Sequence, residues 1–269
     1  MCRALNVSRS GYYAYLTRPE SNRSLKNKRL LETIRKIHRE THEIYGSPRI
    51  TESLPKEETA SRGRVARIMR ENGIRSKTVK KYKATTNSRH NLPVADNLLN
   101  REFVAQRPNE KWVTDITYIA TEEGWLYLAG VLDLYGRRLI GWAMDSRMKT
   151  ELVSTALKQA IGRTGAASGV LVHSDRGVQY ASEAYQRLLK TNGFICSMSR
   201  KGNCYDNAPM ESFWGKLKTE WLNDRKFKTR ADAMKAVFDY IEFFYNRKRI
   251  HSCNGYLPPQ DYEILSNSA

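Results

Sequence analysis

The sequence predicts an α/β protein: a mixed five-stranded sheet with helices on both faces, preceded by a basic helical region. Three observations carry this. The texture changes near residue 110, from polar and basic to runs rich in Val, Ile, Tyr and Trp. Beyond that point strand-like and helix-like segments follow in the order β-β-β-α-β-α-β-α, which suits a mixed sheet covered by helices. The charge is uneven: net +18 overall, with 22 Lys and Arg against 9 Asp and Glu in residues 1–100, and 24 against 19 in residues 101–269. That balance points to a polyanionic partner.

Residues 1–20 read as a short helix, a turn at "NVSRS" and an aromatic helix start, like the last two helices of a helix-turn-helix without the first. From residue 21, Leu30, Leu31, Ile34 and Ile37 recur at helical spacing in a basic amphipathic helix that Gly46 and Pro48 should end. "ASRGRVARIMRENGI" repeats the pattern, with Val65, Ile68 and Met69 apolar and Gly73 as the stop. Its arginines Arg62, Arg64 and Arg67 are candidate DNA contacts. Residues 1–74 are thus expected to form a DNA-binding region, and 75–108, basic and without periodicity, a linker able to track phosphates.

Strands are expected near 111–120, 125–133 and 138–145, the last two joined by a turn at "YGRR". "TELVSTALKQAIG" carries one apolar stripe and predicts a helix; "GVLVHSD" is a short buried strand. "SEAYQRLLKTNG" is a helix stopped by Gly193, and "FICSMS" is the fifth strand. A loop then leads to a helix capped by Asp206 or Asn207, with Pro209 in its first turn. The core is expected over 109–222, with a helical extension over 223–269.

The totals exclude some classes. No apolar run approaches the roughly 18 residues of a membrane span, and the N-terminus lacks a signal peptide's apolar core. Four scattered cysteines fit free thiols in a reducing cytoplasm. Cys196 and Cys204 are expected to carry no chemistry.

Three acids stand out by position. Asp115 lies inside an apolar strand, where an acid is costly unless paired or bound to a cation. Asp175 ends the fourth strand, and open sheets place ligands beyond strand ends. Glu211 sits in the first turn of the last core helix. Three converging carboxylates repel one another, and a hard divalent cation resolves that repulsion. Mg²⁺ takes oxygen ligands, and two such ions can clamp an in-line displacement at phosphorus. On a wheel of about 100° per residue, Gly215 and Lys218 fall within about 40° of Glu211. Met210, Phe213, Trp214, Leu217 and Trp221 form a separate apolar stripe. Lys218, about 10.5 Å along the axis from Glu211, suits a phosphate beside a metal. Trp214 lies between the stripes and could face the sheet or DNA.

With these residues the chain resembles the DDE transposases of the retroviral-integrase superfamily, and within them the second-frame (OrfB) product of the "IS-three" group of bacterial insertion sequences. The motifs are "WVTDITYI", "HSDRGVQY" and "SRKGNCYDNAPMESFWGKLKTE"; Asp175 and Glu211 enclose 35 residues, and the tail "YNRKRIHSCNGYLPPQDY" fits as well. The resemblance implies a ribonuclease-H-like core and a metal-dependent polynucleotidyl transferase. Asp115, Asp175 and Glu211 would be both catalytic and metal-binding. They would hold two Mg²⁺ ions, with Mn²⁺ able to substitute. It implies cleavage at element ends and transfer of the freed 3′ hydroxyls, with Lys218 contacting DNA near the terminus. Expected partners are the terminal inverted repeats and target DNA, a second copy of the chain at least, and an upstream-frame protein or frameshift fusion that would supply a complete helix-turn-helix and zipper. The expected location is the bacterial cytoplasm, at the nucleoid. The stretch between Ile50 and Val65 departs from the family's Gly-containing turn. The rival readings are a hydrolytic nuclease of the same fold and an inactive DNA-binding regulator.

Other residues invite chemistry. His38 and His42 in "HRETH" have zinc-protease spacing without the adjoining Glu, and are expected to be solvated or to face DNA. His173 either orients Asp175 or is simply buried. Asp133 and Asp145 are expected to be solvated turn acids. Arg200 and Lys201, on the loop before Glu211, are candidate phosphate contacts, or else solubilising charges.

Overall fold

The computed structural model of the chain describes residues 2, 6–77, 94–200 and 203–267. It divides into two compact units, 1–77 and 78–269.

The first unit is helical. Ser8, Ser21 and Ser61 cap α1 (Arg9–Thr17), α2 (Asn22–Glu40) and α4 (Arg62–Glu71), each accepting an amide hydrogen with its side chain. Between the last two lies α3 (Ser47–Glu52), a helix that the sequence reading did not place. Gly46 and Pro48 do not end α2. It stops at Glu40, His42 and Glu43 turn the chain with positive φ, and Gly46 caps α3 with Pro48 in its first turn. A single 3₁₀ turn, Lys56–Glu58, leads on toward α4. Leu30, Ile34, Ile37, Ile50, Val65, Ile68 and Met69 are buried, so the predicted apolar spacing faces inward. By contrast α1 buries no residue.

His38 corrects the expectation of a solvated pair. It is buried, and its Nε2 donates to the carbonyl oxygen of Arg75 at 3.1 Å. His42 lies past the helix end, so the two do not share a helical face.

The second unit holds the sheet: β1 (Lys111–Thr121), β2 (Gly124–Asp133), β3 (Leu139–Asp145), β4 (Leu171–Ser174) and β5 (Ile195–Met198), in the order β3-β2-β1-β4-β5. β1, β2 and β3 are antiparallel neighbours; β4 runs parallel to β1, and β5 to β4. One face packs on α5 (Thr150–Thr164), α6 (Val178–Ala181) and α7 (Glu183–Thr191), around Trp112, Val131, Leu157, Tyr180 and Tyr185. α5 lies so close that a Cβ on Gly141 of β3 would stand 2.2 Å from the carbonyl oxygen of Ala156. α8 (Ala208–Leu217) packs on β1, and α9 (Arg230–Phe238) on β1 and β2.

The π-helical turns Lys218–Leu222 and Asp239–Tyr245 continue α8 and α9. They are locked together by Glu220. Its carboxylate receives Arg249 and the Tyr240 hydroxyl, all three side chains being buried. The last helix, α10 (Pro259–Asn267), returns to the sheet through an Arg138–Glu263 ion pair.

The expected linker is only partly a linker. Residues 78–93 lie outside the described residues. Residues 94–108 belong to the second unit: Leu99 is buried, and the amides of Leu98 and Leu99 donate to Ser197 Oγ at 2.9 and 3.1 Å. No helix of the described residues is long and apolar enough to cross a membrane.

Candidate active site

β4 pairs with β1 only over Lys111–Val113. Two residues past that pairing β1 carries Asp115, and one residue past its own end β4 leads into Asp175. The two acids therefore lie at the fork where the strands part, beyond the carboxyl end of β4, the usual ligand position in such sheets. Glu211, in the first turn of α8, is exposed.

The electrostatics tie the three together. Burial pushes the Asp115 carboxyl well above its usual range, and the Asp175 and Glu211 carboxylates push it the same way. The amide of Ile116 and the indole of Trp214 oppose them. Partial burial raises Glu211 as well. Among the described residues, no group of three or more His, Cys, Asp or Glu side chains is placed to hold an ion by itself. Mg²⁺ characteristically takes few carboxylates and fills its shell with water and substrate phosphate, so an open acid cluster suits it. The mutual repulsion at Asp115 is what a cation would relieve.

Two hydrogen bonds set the carboxylates. Asp175 Oδ1 accepts from the Gly177 amide at 2.8 Å. Asp115 Oδ2 accepts from Trp214 Nε1 at 3.0 Å. Trp214 is the residue the helix wheel left between two stripes, and its ring faces the sheet. Gly130, the register partner of Asp115, makes room for it: a Cβ there would stand 2.8 Å from Trp214 Cη2. Nothing in the local sequence announces this bond, because its partners are 99 residues apart.

Lys218 begins the π-helical turn, so the ideal wheel stops one residue short of it. Its ammonium stands 5.1 Å from the Tyr118 ring centre. Desolvation lowers its pKa, while Tyr118 and Asp115 act in the opposite sense. The lysine is thus electrostatically coupled to Asp115, on the same side as the acid cluster.

Other predicted site residues have structural partners. Both ring nitrogens of His173 are engaged by serines, Nδ1 with Ser197 Oγ of β5 (2.8 Å) and Nε2 with Ser199 Oγ just past its end (3.1 Å). It ties β4 to β5 and does not orient Asp175; burial pushes it down to about 4. Arg200 meets Asp206 through its backbone amide and its guanidinium, at 2.9–3.0 Å. Asp206 is fully buried and also accepts from Arg101 and Asn97. The guanidinium hydrogen bond of Arg200 holds it well below the usual carboxylate range. This knot fixes the start of α8, and the sequence reading saw only a helix cap there. Lys201 lies outside the described residues. Asp145 is exposed as expected, but Asp133 is buried and corrects the reading: it accepts from the amides of Asn109 and Tyr135, and burial pushes it up to about 6.

In the first unit a concave basic surface runs between α2 and α4, lined by Asn22, Arg23, Lys26, Arg64 and Arg67. Arg64 is held there by Asn27 Oδ1 (2.9 and 3.1 Å), and Arg62 is exposed on the same first turn of α4. Arg23 and Lys26 were not singled out from sequence, although they follow one another at helical i, i+3 spacing.

Comparison with known proteins gives a consistent picture. Residues 105–204 match the integrase core domain family, 211–266 a second integrase core domain family, and 25–82 an HTH-like domain. The chain is 47% identical over 260 residues to the insertion element IS600 uncharacterized 31 kDa protein of Shigella sonnei, covering 96% of each. It is 42% identical over 266 residues to the transposase InsF for insertion sequence IS3A of Escherichia coli K12, covering 98% of this chain and 92% of that one. A chain of the simian T-cell lymphotropic virus intasome, solved with PP2A regulatory subunit B56 gamma, shares the fold at 18% identity. Its TM-score is 0.50, over 85% of this chain and 73% of that one.

Proposed function

Because the chain belongs to the IS3 family of insertion-sequence transposases, we propose that it cuts DNA at the ends of its element and joins the freed 3′ hydroxyls to target DNA, using Asp115, Asp175 and Glu211 as a metal-binding triad. The observation that carries this is the electrostatic coupling of Asp115 to both other acids at the fork of β1 and β4. A buried Asp115 carboxyl whose charge is opposed by both Asp175 and Glu211 suits a divalent cation, Mg²⁺ first and Mn²⁺ in its place. When bound, such ions supply charge neutralisation and activation at the attacking and leaving oxygens.

The chain's own side chains do the rest. Trp214 holds Oδ2 of Asp115, and the Gly177 amide holds Oδ1 of Asp175, so each carboxylate has one oxygen oriented before DNA arrives. Lys218, beside the cluster, offers a cation to a phosphate next to the reacting one. The basic surface between α2 and α4, with Arg62 nearby, binds the duplex backbone, and Lys201 contacts phosphate at the loop before α8, where the Arg200 guanidinium is held by Asp206. Pairing of two element ends calls for at least two copies of the chain, and an upstream-frame protein or frameshift fusion completes end recognition.

The test is cleavage and joining of labelled DNA carrying the element's own ends, with Mg²⁺. Asp115→Asn, Asp175→Asn and Glu211→Gln should each reduce both products to background while leaving DNA affinity within a few fold. Hydrolysis without joined products would favour a nuclease. Turnover surviving in Glu211→Gln would remove the triad.

A further inference from the structure

Beyond Val113 the described part of β1 runs past the end of β4 and borders the acid cluster. Three residues after Asp115 it carries Tyr118, whose ring meets that of Trp125 on β2. The centroids are 4.9 Å apart, with the planes at 78°. Both rings are exposed, Tyr118 by 40% and Trp125 by 50%. Single exposed aromatics are ordinary. This pair differs in three respects.

It is rigidly mounted. Arg230 of α9 donates to the carbonyl oxygens of Trp125 and Glu123, and its amide donates to the Glu123 carboxylate. The Glu122 amide donates to the carbonyl oxygen of Phe227. The hairpin end is thus clamped to the start of α9, so the rings stand on a fixed support.

It is rimmed by cationic charge. The Lys218 ammonium lies 5.1 Å from the Tyr118 ring centre, and the Arg230 guanidinium is bonded at the backbone of Trp125. It is also close to the chemistry. Alternation along the strand turns the Tyr118 ring to the sheet face opposite Asp115, but Lys218, whose ammonium stands 5.1 Å from that ring, also feels the Asp115 charge. Three residues of strand advance only about 10 Å, the rise of roughly three stacked nucleotides in one DNA strand.

We propose that Tyr118 and Trp125 form a stacking platform for an unpaired base of the DNA strand, within about three nucleotides of the phosphodiester at the acid cluster, with Lys218 on the intervening phosphate. Aromatic rings accept any base through its π face, while the cations track the backbone. Prising the terminal base pairs apart in this way gives the scissile phosphate freedom to reach the carboxylates. The proposal rests on the triad reading above for where the scissile phosphate lies.

Its test is optical and needs no cleavage. Duplexes bearing the element's own end carry 2-aminopurine at each of the last four positions in turn. They are mixed with the full chain bearing Glu211→Gln. One or two positions should change strongly in fluorescence as the base leaves the duplex and stacks on protein. Adding Trp125→Ala or Tyr118→Ala should abolish that change and weaken end binding roughly fivefold or more. Trp125→Phe should retain most of the signal, and thermal melting should show the alanine chains folded. An unchanged signal in both alanine chains overturns the platform. So does a change of oligomeric state with the signal intact, which would make the rings a protein contact. The triad fails separately, if Glu211→Gln still cuts DNA.

Discussion

At the scale of single residues, the indole of Trp214 decides how Asp115 presents itself. Trp214→Phe keeps the ring over Gly130 and deletes only the N–H that reaches Oδ2. Removing an outer hydrogen bond to a metal-binding carboxylate typically costs about 10–100-fold in metal affinity or activity. The phenylalanine chain should therefore need correspondingly more Mg²⁺ or Mn²⁺ for half-maximal cleavage, with an unchanged melting temperature. An unaltered metal titration would leave the N–H without a role. His173 supports a different expectation. Its pKa falls from about 6.5 in the unfolded chain to about 4 when folded. The unfolded state binds the extra proton, so this stability is complete above about pH 6.5 and drains away toward pH 4. Asp133, raised to about 6, acts oppositely, losing its contribution as pH rises from about 4 to 6. The His173 part is thus read from a difference: the stability gap between the wild-type chain and His173→Asn should narrow as pH falls from 6.5 to 4. A constant gap in urea melts would mean that His173 keeps its ordinary pKa.

At the scale of elements, the two π-helical turns and the tail form one unit through Glu220 and Arg249. Removing one charge of a buried pair leaves the other uncompensated, at a cost of about 3–5 kcal/mol. Glu220→Gln should lower unfolding stability by that order, read as a shifted denaturant midpoint. A loss well below 1 kcal/mol would mean that water reaches Arg249. These elements also show where sequence reading stops. The strands β1 to β3 fall within a few residues of their expected places, because Val, Ile, Tyr and Trp clusters and charged turns are local signals. Asp115 was legible since an acid inside an apolar strand conflicts with its surroundings. The π-helical turns were not, because one extra residue per turn leaves composition and rough spacing unchanged. The Asp206 knot was hidden for another reason: its partner Arg101 lies 105 residues away. Trp214 was hidden likewise, fitting either stripe until Gly130 opposite Asp115 fixed its side. Residues 94–108 read as linker because they lack periodicity, yet Ser197 captures their amides.

At the scale of the whole molecule, charge and chemistry are divided between the two units. Residues 1–77 hold 18 Lys and Arg against 8 Asp and Glu, a net +10 of the chain's +18, and the acids of the proposed triad all lie beyond residue 110. Affinity and turnover should therefore respond to different substitutions. Each phosphate neutralised by a side chain releases counterions, and the logarithm of affinity falls against the logarithm of salt with a slope of about −0.9 per contact on duplex DNA. Arg23, Lys26 and Arg67 line the basic surface between α2 and α4. If they hold backbone phosphates, Arg23→Ala, Lys26→Ala and Arg67→Ala should each flatten that slope by about 0.9. Each should also weaken binding to element ends and to unrelated duplexes by similar factors. Fluorescence anisotropy titrations from low to moderate salt measure both quantities. At low salt and saturating protein, cleavage in these chains should return to the wild-type rate, because the carboxylates are untouched. A variant that keeps the wild-type slope yet loses its preference for element ends would show that this surface reads bases. A variant that binds normally but cuts slowly would break the proposed division of labour.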